Sequence, residues 1–134
     1  MSQRTYLDRA AILAVPDITT EDVDVPEWGG VVRVRGLTAS QRDKFEADSL
    51  QGKGKNARVN FTNLRARLVA LCMVDEDGNQ VFEERDTHVL GQKSAAAIDR
   101  VYSAAMKLSG IGDDDIEELT KNSESDQSDD SISG

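Results

Sequence analysis

The chain has little of what most catalytic and metal-binding proteins are built from. Its 134 residues include one cysteine, Cys72, and one histidine, His88. That excludes a disulfide framework, a zinc finger and a Cys/His metal cluster. Basic residues are in deficit, with 16 Lys and Arg against 25 Asp and Glu and a formal net charge of −9. A general nucleic-acid binder needs the opposite balance, because cations must displace the phosphate counterions. No apolar run approaches the roughly 18 residues of a membrane span, and the N-terminus lacks the apolar stretch of a secretory signal. The expectation is a soluble, cytoplasmic protein with neither nucleic acid nor membrane as partner. Aromatic residues make up only 4% of the chain, so its core must be assembled mainly from Ala, Val, Leu and Ile. The length suits one domain of roughly 100–150 residues.

What is present is a mixture of two periodicities. Val23 and Val25 flank Asp24, and Val32 and Val34 flank Arg33, the period-two pattern of half-buried strands. Pro26-Glu-Trp-Gly-Gly30 joins the two runs, and its glycines are expected to supply the positive φ of a hairpin turn. Ahead of this hairpin, residues 4–15 read as a short arm or helical turn stopped by Pro16. Behind it, Thr38-Ala-Ser-Gln41 has the form of a capping box, opening a helix to about Leu50 with Phe45 and Leu50 on its apolar side.

Residues 51–60, which carry Gly52, Lys53, Gly54, Lys55 and Arg58, read as a mobile loop. Phe61, Leu64, Leu68 and Leu71 then step at helical spacing. Asp77-Gly78 between Met73-Val74 and Val81-Phe82 predicts a second hairpin. Residues 86–90 make a turn or two of helix ended by Gly91. Ser94 caps a further helix in which Ile98, Val101, Tyr102, Ala105 and Leu108 share a face, with Gly110 as its stop. A short helix is expected over residues 113–121. Residues 122–134 hold five serines and four acids, too few apolar groups to offset the entropy of ordering. The reading is therefore α+β: an N-terminal β-hairpin packed with a small helical bundle. An arm over residues 1–16 precedes the domain of residues 17–121, and a disordered acidic Ser-rich tail follows over 122–134.

Candidate chemistry is sparse. Asp75, Asp77, Gly78 and Glu84 match four places of a calcium loop, but the first place falls on Met73, which offers no oxygen to a hard cation. A plain turn is the better reading, and no metal or cofactor is expected. Cys72 sits among Leu71 and Met73, as a buried structural thiol would. His88 reads as a surface residue, with no third group to orient it toward a nucleophile. No enzymatic activity is expected. Two features suit partner contact. Lys53, Lys55, Arg58 and Arg65 have no acidic residue among them between Asp48 and Asp75, which forms either a solvated loop or a basic patch. Trp28, the one tryptophan, either folds over its own hairpin or meets a partner.

The order of several blocks is more specific than any of them alone. Val25-Pro-Glu-Trp-Gly-Gly30 runs into Arg33-Val-Arg-Gly-Leu-Thr38, then Gln41-Arg-Asp43 and Phe45-Glu46. Later come Arg65-Ala-Arg-Leu-Val-Ala-Leu71, Val74-Asp-Glu-Asp-Gly-Asn79, Phe82, Leu90-Gly91, Lys93-Ser-Ala-Ala-Ala-Ile98 and Leu108-Ser-Gly110. In this order, spanning residues 10 to about 121, the chain resembles the tail assembly chaperones of long-tailed (siphovirus-type) bacteriophages and prophages. The resemblance implies a non-enzymatic protein that binds the tape measure protein, keeps it soluble and promotes polymerisation of the tail tube protein around it. It also implies action in the cytoplasm of the bacterial host, absence from the mature virion, and possible homo-oligomers. Trp28, Lys53, Lys55, Arg58 and Arg65 are the expected partner-binding residues, together with the helix faces of residues 61–72 and 95–108. The competing expectation is a structural virion component, such as a head–tail connector or tail-completion protein.

Overall fold

Alternating valines build the first pair of strands. In the computed structural model, which describes residues 4–52, 58–112, 114–116 and 118, β1 (Thr20–Val25) and β2 (Gly30–Arg35) pair antiparallel from Thr20↔Arg35 to Val25↔Gly30. The register places Val23 opposite Val32, so the inward valines of both strands share one face. Val25 and Val34 are fully buried there. On the other face, Arg33 Nε donates to Asp22 Oδ1 at 2.9 Å, a cross-strand pair that holds the Asp22 carboxyl below its usual range. The connection is a single 3₁₀ turn, Pro26–Trp28, closed by Gly29 at φ 70°. Only Gly29 supplies the expected left-handed position; Gly30 is already the first residue of β2.

The capping box forms as expected at α2 (Ala39–Asp48): the Thr38 hydroxyl accepts from the Gln41 N–H at 3.1 Å, and the Gln41 side chain accepts from the Thr38 N–H at 2.9 Å. Phe45 is buried. Leu50 is not on this helix. The helix ends at Ser49, whose buried hydroxyl donates to the Phe45 carbonyl at 2.6 Å, and Leu50 begins a strand. This β3 (Leu50–Gln51) pairs with β4 (Arg58–Val59), so the segment read as a loop has a two-residue ladder at its ends. Residues 53–57, including Lys53 and Lys55, lie outside the described residues.

The next helix, α3 (Leu64–Cys72), starts three residues later than the apolar stripe predicts. Asn63 adopts φ 58°, and this left-handed turn detaches Phe61 from the helix, leaving it 67% exposed. From Leu64 on, the helix is buried on more than one face: Ala66, Leu68, Val69, Ala70 and Cys72 all join the core, and Leu71 is half-buried. Without an intervening residue, α3 runs into β5 (Met73–Val74), which pairs with β2 and completes the sheet order β1-β2-β5. The second hairpin is a turn in which Asp75 Oδ1 accepts from the N–H groups of Asp77 and Asn79, both at 2.9 Å. Gly78 takes φ 86° in it, and Val74 bridges Gln80.

A 3₁₀ turn leads into α4 (Thr87–Leu90), followed by Gly91. The Ser94 hydroxyl caps α5 (Ala95–Leu108) by accepting from the Ala97 N–H at 3.3 Å, and Gly110 follows at φ 69°. Ile98, Val101 and Ala105 are buried as expected, joined by Ala97, Ala104 and Met106. The helix lies across β1 and β2 on one side and against α3 on the other. The architecture is mixed helix and strand with a small sheet, as the α+β reading predicts. Of the helix expected over 113–121, residues 114–116 and 118 are helical; the rest, and the tail read as disordered, lie outside the described residues. The short arm is α1 (Arg9–Ala14), capped by Asp8 and burying no residue.

Candidate functional site

The hairpin tip, β5 and α4 converge around Trp28. The indole is half-buried and packs against the core, while Glu27 beside it is tied to α5 by Arg100, whose Nε donates to the carboxylate at 2.9 and 3.2 Å. That donation holds the Glu27 carboxyl below its usual range. Next to the indole opens an apolar groove of about 840 Å³, lined among others by Trp28, Val32, Phe82 and Val89. Val89 is 66% exposed and Val81 on the same groove is 48% exposed, whereas Leu90 at its floor is buried. The indole Nε1 is enclosed and has no hydrogen-bond partner among the described residues. Trp28 thus covers the core edge and also lines an open groove.

The other expected partner residues stand elsewhere. Arg58 is exposed on β4. Arg65 is engaged within the chain: its guanidinium donates to Asp99 Oδ1 at 2.9 Å and lies 5.8 Å over the Tyr102 ring. It belongs to a clamp between α3 and α5 and borders a second depression of about 330 Å³, beside exposed Phe61. Lys93 borders both depressions. The helix faces of residues 61–72 and 95–108 are largely consumed by the core. Phe61, just ahead of α3, is the large apolar side chain of these stretches that stays exposed.

Val81, Phe82 and Val89 were missed from sequence, although a signal existed. Val89 precedes Leu90, and neighbours on a helix diverge by about 100°, so a buried Leu90 turns Val89 away from the core. Val81 and Phe82 follow the Asp77-Gly78 turn in a bend, where Phe82 packs partly against the core and Val81 stays exposed.

Nucleophilic chemistry has no support in this geometry. Cys72 is fully buried, and burial pushes its thiol up to about 11, against a partial opposing pull from a Ser109 hydrogen bond and Arg35. Near neutral pH it is a protonated thiol, neither a nucleophile nor a metal ligand. His88 is exposed on α4, as expected. Among the described residues no three His, Cys, Asp or Glu side chains group as metal ligands, and no helix is long and apolar enough to cross a membrane.

A family model described as phage tail assembly chaperone matches residues 8–127, and the chain belongs to that family. Neither a curated protein nor a solved structure matches it. Its role is therefore in phage tail assembly, inside the host cell, within a family of assembly chaperones rather than enzymes.

Proposed function

We propose that this chaperone binds the tape measure protein, keeps it soluble while the tail tube protein polymerises around it, and is absent from the finished particle. The observation that carries the reading is the groove between Trp28 and Val89, an apolar trough about 840 Å³ in size left open to solvent. A trough of this kind accepts the apolar face of an amphipathic helix at i, i+3, i+4 and i+7. The net charge of −9 favours a basic client and speeds encounter, while apolar contact in the groove sets the residence time. Binding without covalent chemistry keeps release simple: a tube subunit that covers the same helical stripe displaces the chaperone by competition. In this division of labour the domain of residues 17–121 holds the client and the acidic tail of residues 122–134 sustains solubility.

Capture of tape measure fragments by the wild type, Trp28→Ala and Val89→Asp tests the reading. Recovery should fall about tenfold or more in each variant, the equivalent of losing one well-buried anchor. Equal recovery by all three removes the groove from the client site. Mass spectrometry of purified particles tests the transient role; finding the intact chain at fixed stoichiometry makes it a structural component such as a connector.

A further inference from the structure

β1 stands at one end of the sheet order β1-β2-β5, so one of its long edges has no strand beside it among the described residues. Which backbone groups face that edge follows from the register. The Gly36 N–H donates to the Thr19 carbonyl at 3.0 Å, which makes Thr19 and Gly36 a hydrogen-bonded pair. Bonded and non-bonded pairs alternate along an antiparallel ladder. Glu21, Val23 and Val25 therefore exchange bonds with β2, while the N–H and C=O groups of Thr20, Asp22 and Asp24 point away from it. A depression of about 390 Å³ lies along the same edge, lined by residues of β1 and α5 and by none of β2. Its α5 wall includes Ser103 and Ala104, small side chains that leave room for another backbone to approach.

We infer that this edge takes an extended segment of a partner protein as an added antiparallel strand, with basic residues opposite Asp22 and Asp24 and a small apolar residue opposite Val23. Main-chain bonds to the free groups of Thr20, Asp22 and Asp24 supply the attachment, and alternate side chains supply the choice of sequence. Residues directly opposite each other across a ladder share one face. On the face turned away from α5, Asp24 makes no ion pair among the described residues, and Asp22 is paired with Arg33. Thr20 stands across from Arg35 on that face, so the cations belong opposite Asp22 and Asp24 and a neutral residue opposite Thr20. On the α5 side, Arg100 is held by Glu27 at 2.9 Å, and Glu21 and Lys107 carry opposite charges. Half-buried Val23 and buried Ala104 offer an apolar seat there. The same charges decide what the edge refuses. A second copy of β1 would bring its own Glu21, Asp22 and Asp24 against these acids, and like charges directly opposite are destabilising. The edge is thus guarded against pairing with itself and open to a cationic strand of another chain. This site is separate from the Trp28 groove, with which it shares no lining residue.

Amide exchange and chemical-shift titration of the full-length chain, read by NMR, test it. In the free chain the amides of Thr20, Asp22 and Asp24 should exchange faster than those of Val23 and Val25. The probe is the synthetic peptide Ala-Lys-Val-Lys-Val-Thr-Ala, whose lysines fall opposite Asp24 and Asp22. At about 1 mM it should slow exchange at Thr20, Asp22 and Asp24 at least about twofold, the half-occupancy of a millimolar site. A peptide with Glu in place of both lysines should bind at least about fivefold more weakly, and so should the reordered Ala-Lys-Lys-Val-Val-Thr-Ala. N-methylation of either lysine, whose N–H faces β1, should abolish binding, while N-methylation of either valine should leave it. Asp24 is exposed, so Asp24→Lys should fold, as circular dichroism checks, and should prefer the Glu peptide to the Lys peptide. No protection at the stated concentration overturns the inference. So does equal binding of the three peptides, or an Asp24→Lys chain with the wild-type preference. Val89→Asp, which strikes the Trp28 groove, should bind the peptide as the wild type does, so loss of client capture and loss of strand addition are scored apart.

Discussion

One methyl group added at Gly36 meets backbone rather than a movable side chain. Gly36 is buried where β2 leaves the sheet and passes under the C-terminal end of α5. A Cβ there would sit 2.5 Å from the Leu108 carbonyl oxygen and 3.0 Å from its carbon. The junction is pinned on both sides, since the Gly36 N–H donates to the Thr19 carbonyl at 3.0 Å and the Leu37 N–H to the Ser109 hydroxyl at 3.0 Å. Neither strand nor helix can yield without breaking one of these bonds. Overpacking ordinarily costs 1–3 kcal/mol, and an obstacle made of backbone places Gly36→Ala at about 3 kcal/mol. Taking a urea slope of about 1.5 kcal/mol/M for a chain of this size, the midpoint should fall by about 2 M. Gly30→Ala is the matched control, because a Cβ at Gly30 meets nothing within 4 Å, and its shift should stay within about 0.5 kcal/mol. Unfolding followed by Trp28 fluorescence and far-ultraviolet dichroism gives both numbers. If the two variants unfold within about 0.3 M of each other, the close approach of β2 to α5 is not a constraint and the argument fails.

Three further outcomes follow from the same packing. The Cys72 thiol, raised from 9.0 to about 11 in the folded chain, keeps its proton when the unfolded chain has lost its own. Stability should therefore decline as pH rises from about 9 to about 11, Cys72→Ala should lack that part of the decline, and alkylation of the native protein at neutral pH should require denaturant. Thr38→Ala removes the acceptor for the Gln41 N–H and should cost about 1 kcal/mol, read as a lower thermal midpoint, while Ala at exposed Ser40 should change little. Phe45→Ala empties the largest fully buried side chain and should cost about 3–5 kcal/mol; a loss under about 1 kcal/mol would mean that α2 is not anchored by this ring.

Much of the fold was legible because its signals are local. Val23, Val25, Val32 and Val34 announce a hairpin by period alone, and Thr38 with Gln41 announces a helix start by two hydrogen bonds three residues apart. The misreadings arise where a single residue changes direction. Asn63 in the left-handed region removed Phe61 from a stripe it matched in spacing, and Ser49 turned back on Phe45 and released Leu50 into a strand. The candidate site was legible only at Trp28. Its groove needs Phe82 and Val89, more than fifty residues away in the chain, and no local pattern encodes that meeting. Arg65 looked free because its partner, Asp99, is 34 residues distant.

The seamless passage from α3 to β5 has a mechanical meaning. Cys72 ends the helix and Met73 begins the strand, so rotation of one about its axis is transmitted undamped to the other. Sliding α3 by a single residue would swing its apolar side by about 100° and turn Met73 and Val74 to opposite faces of the sheet. The two act as a rigid crank that welds the interior of the helices to the floor of the Trp28 groove, where Met73 lies. Evolution of the groove's shape is thereby tied to the interior packing on this side. On the opposite wall, Val89 and Val81 stand in solvent, free to change and retune which helix fits.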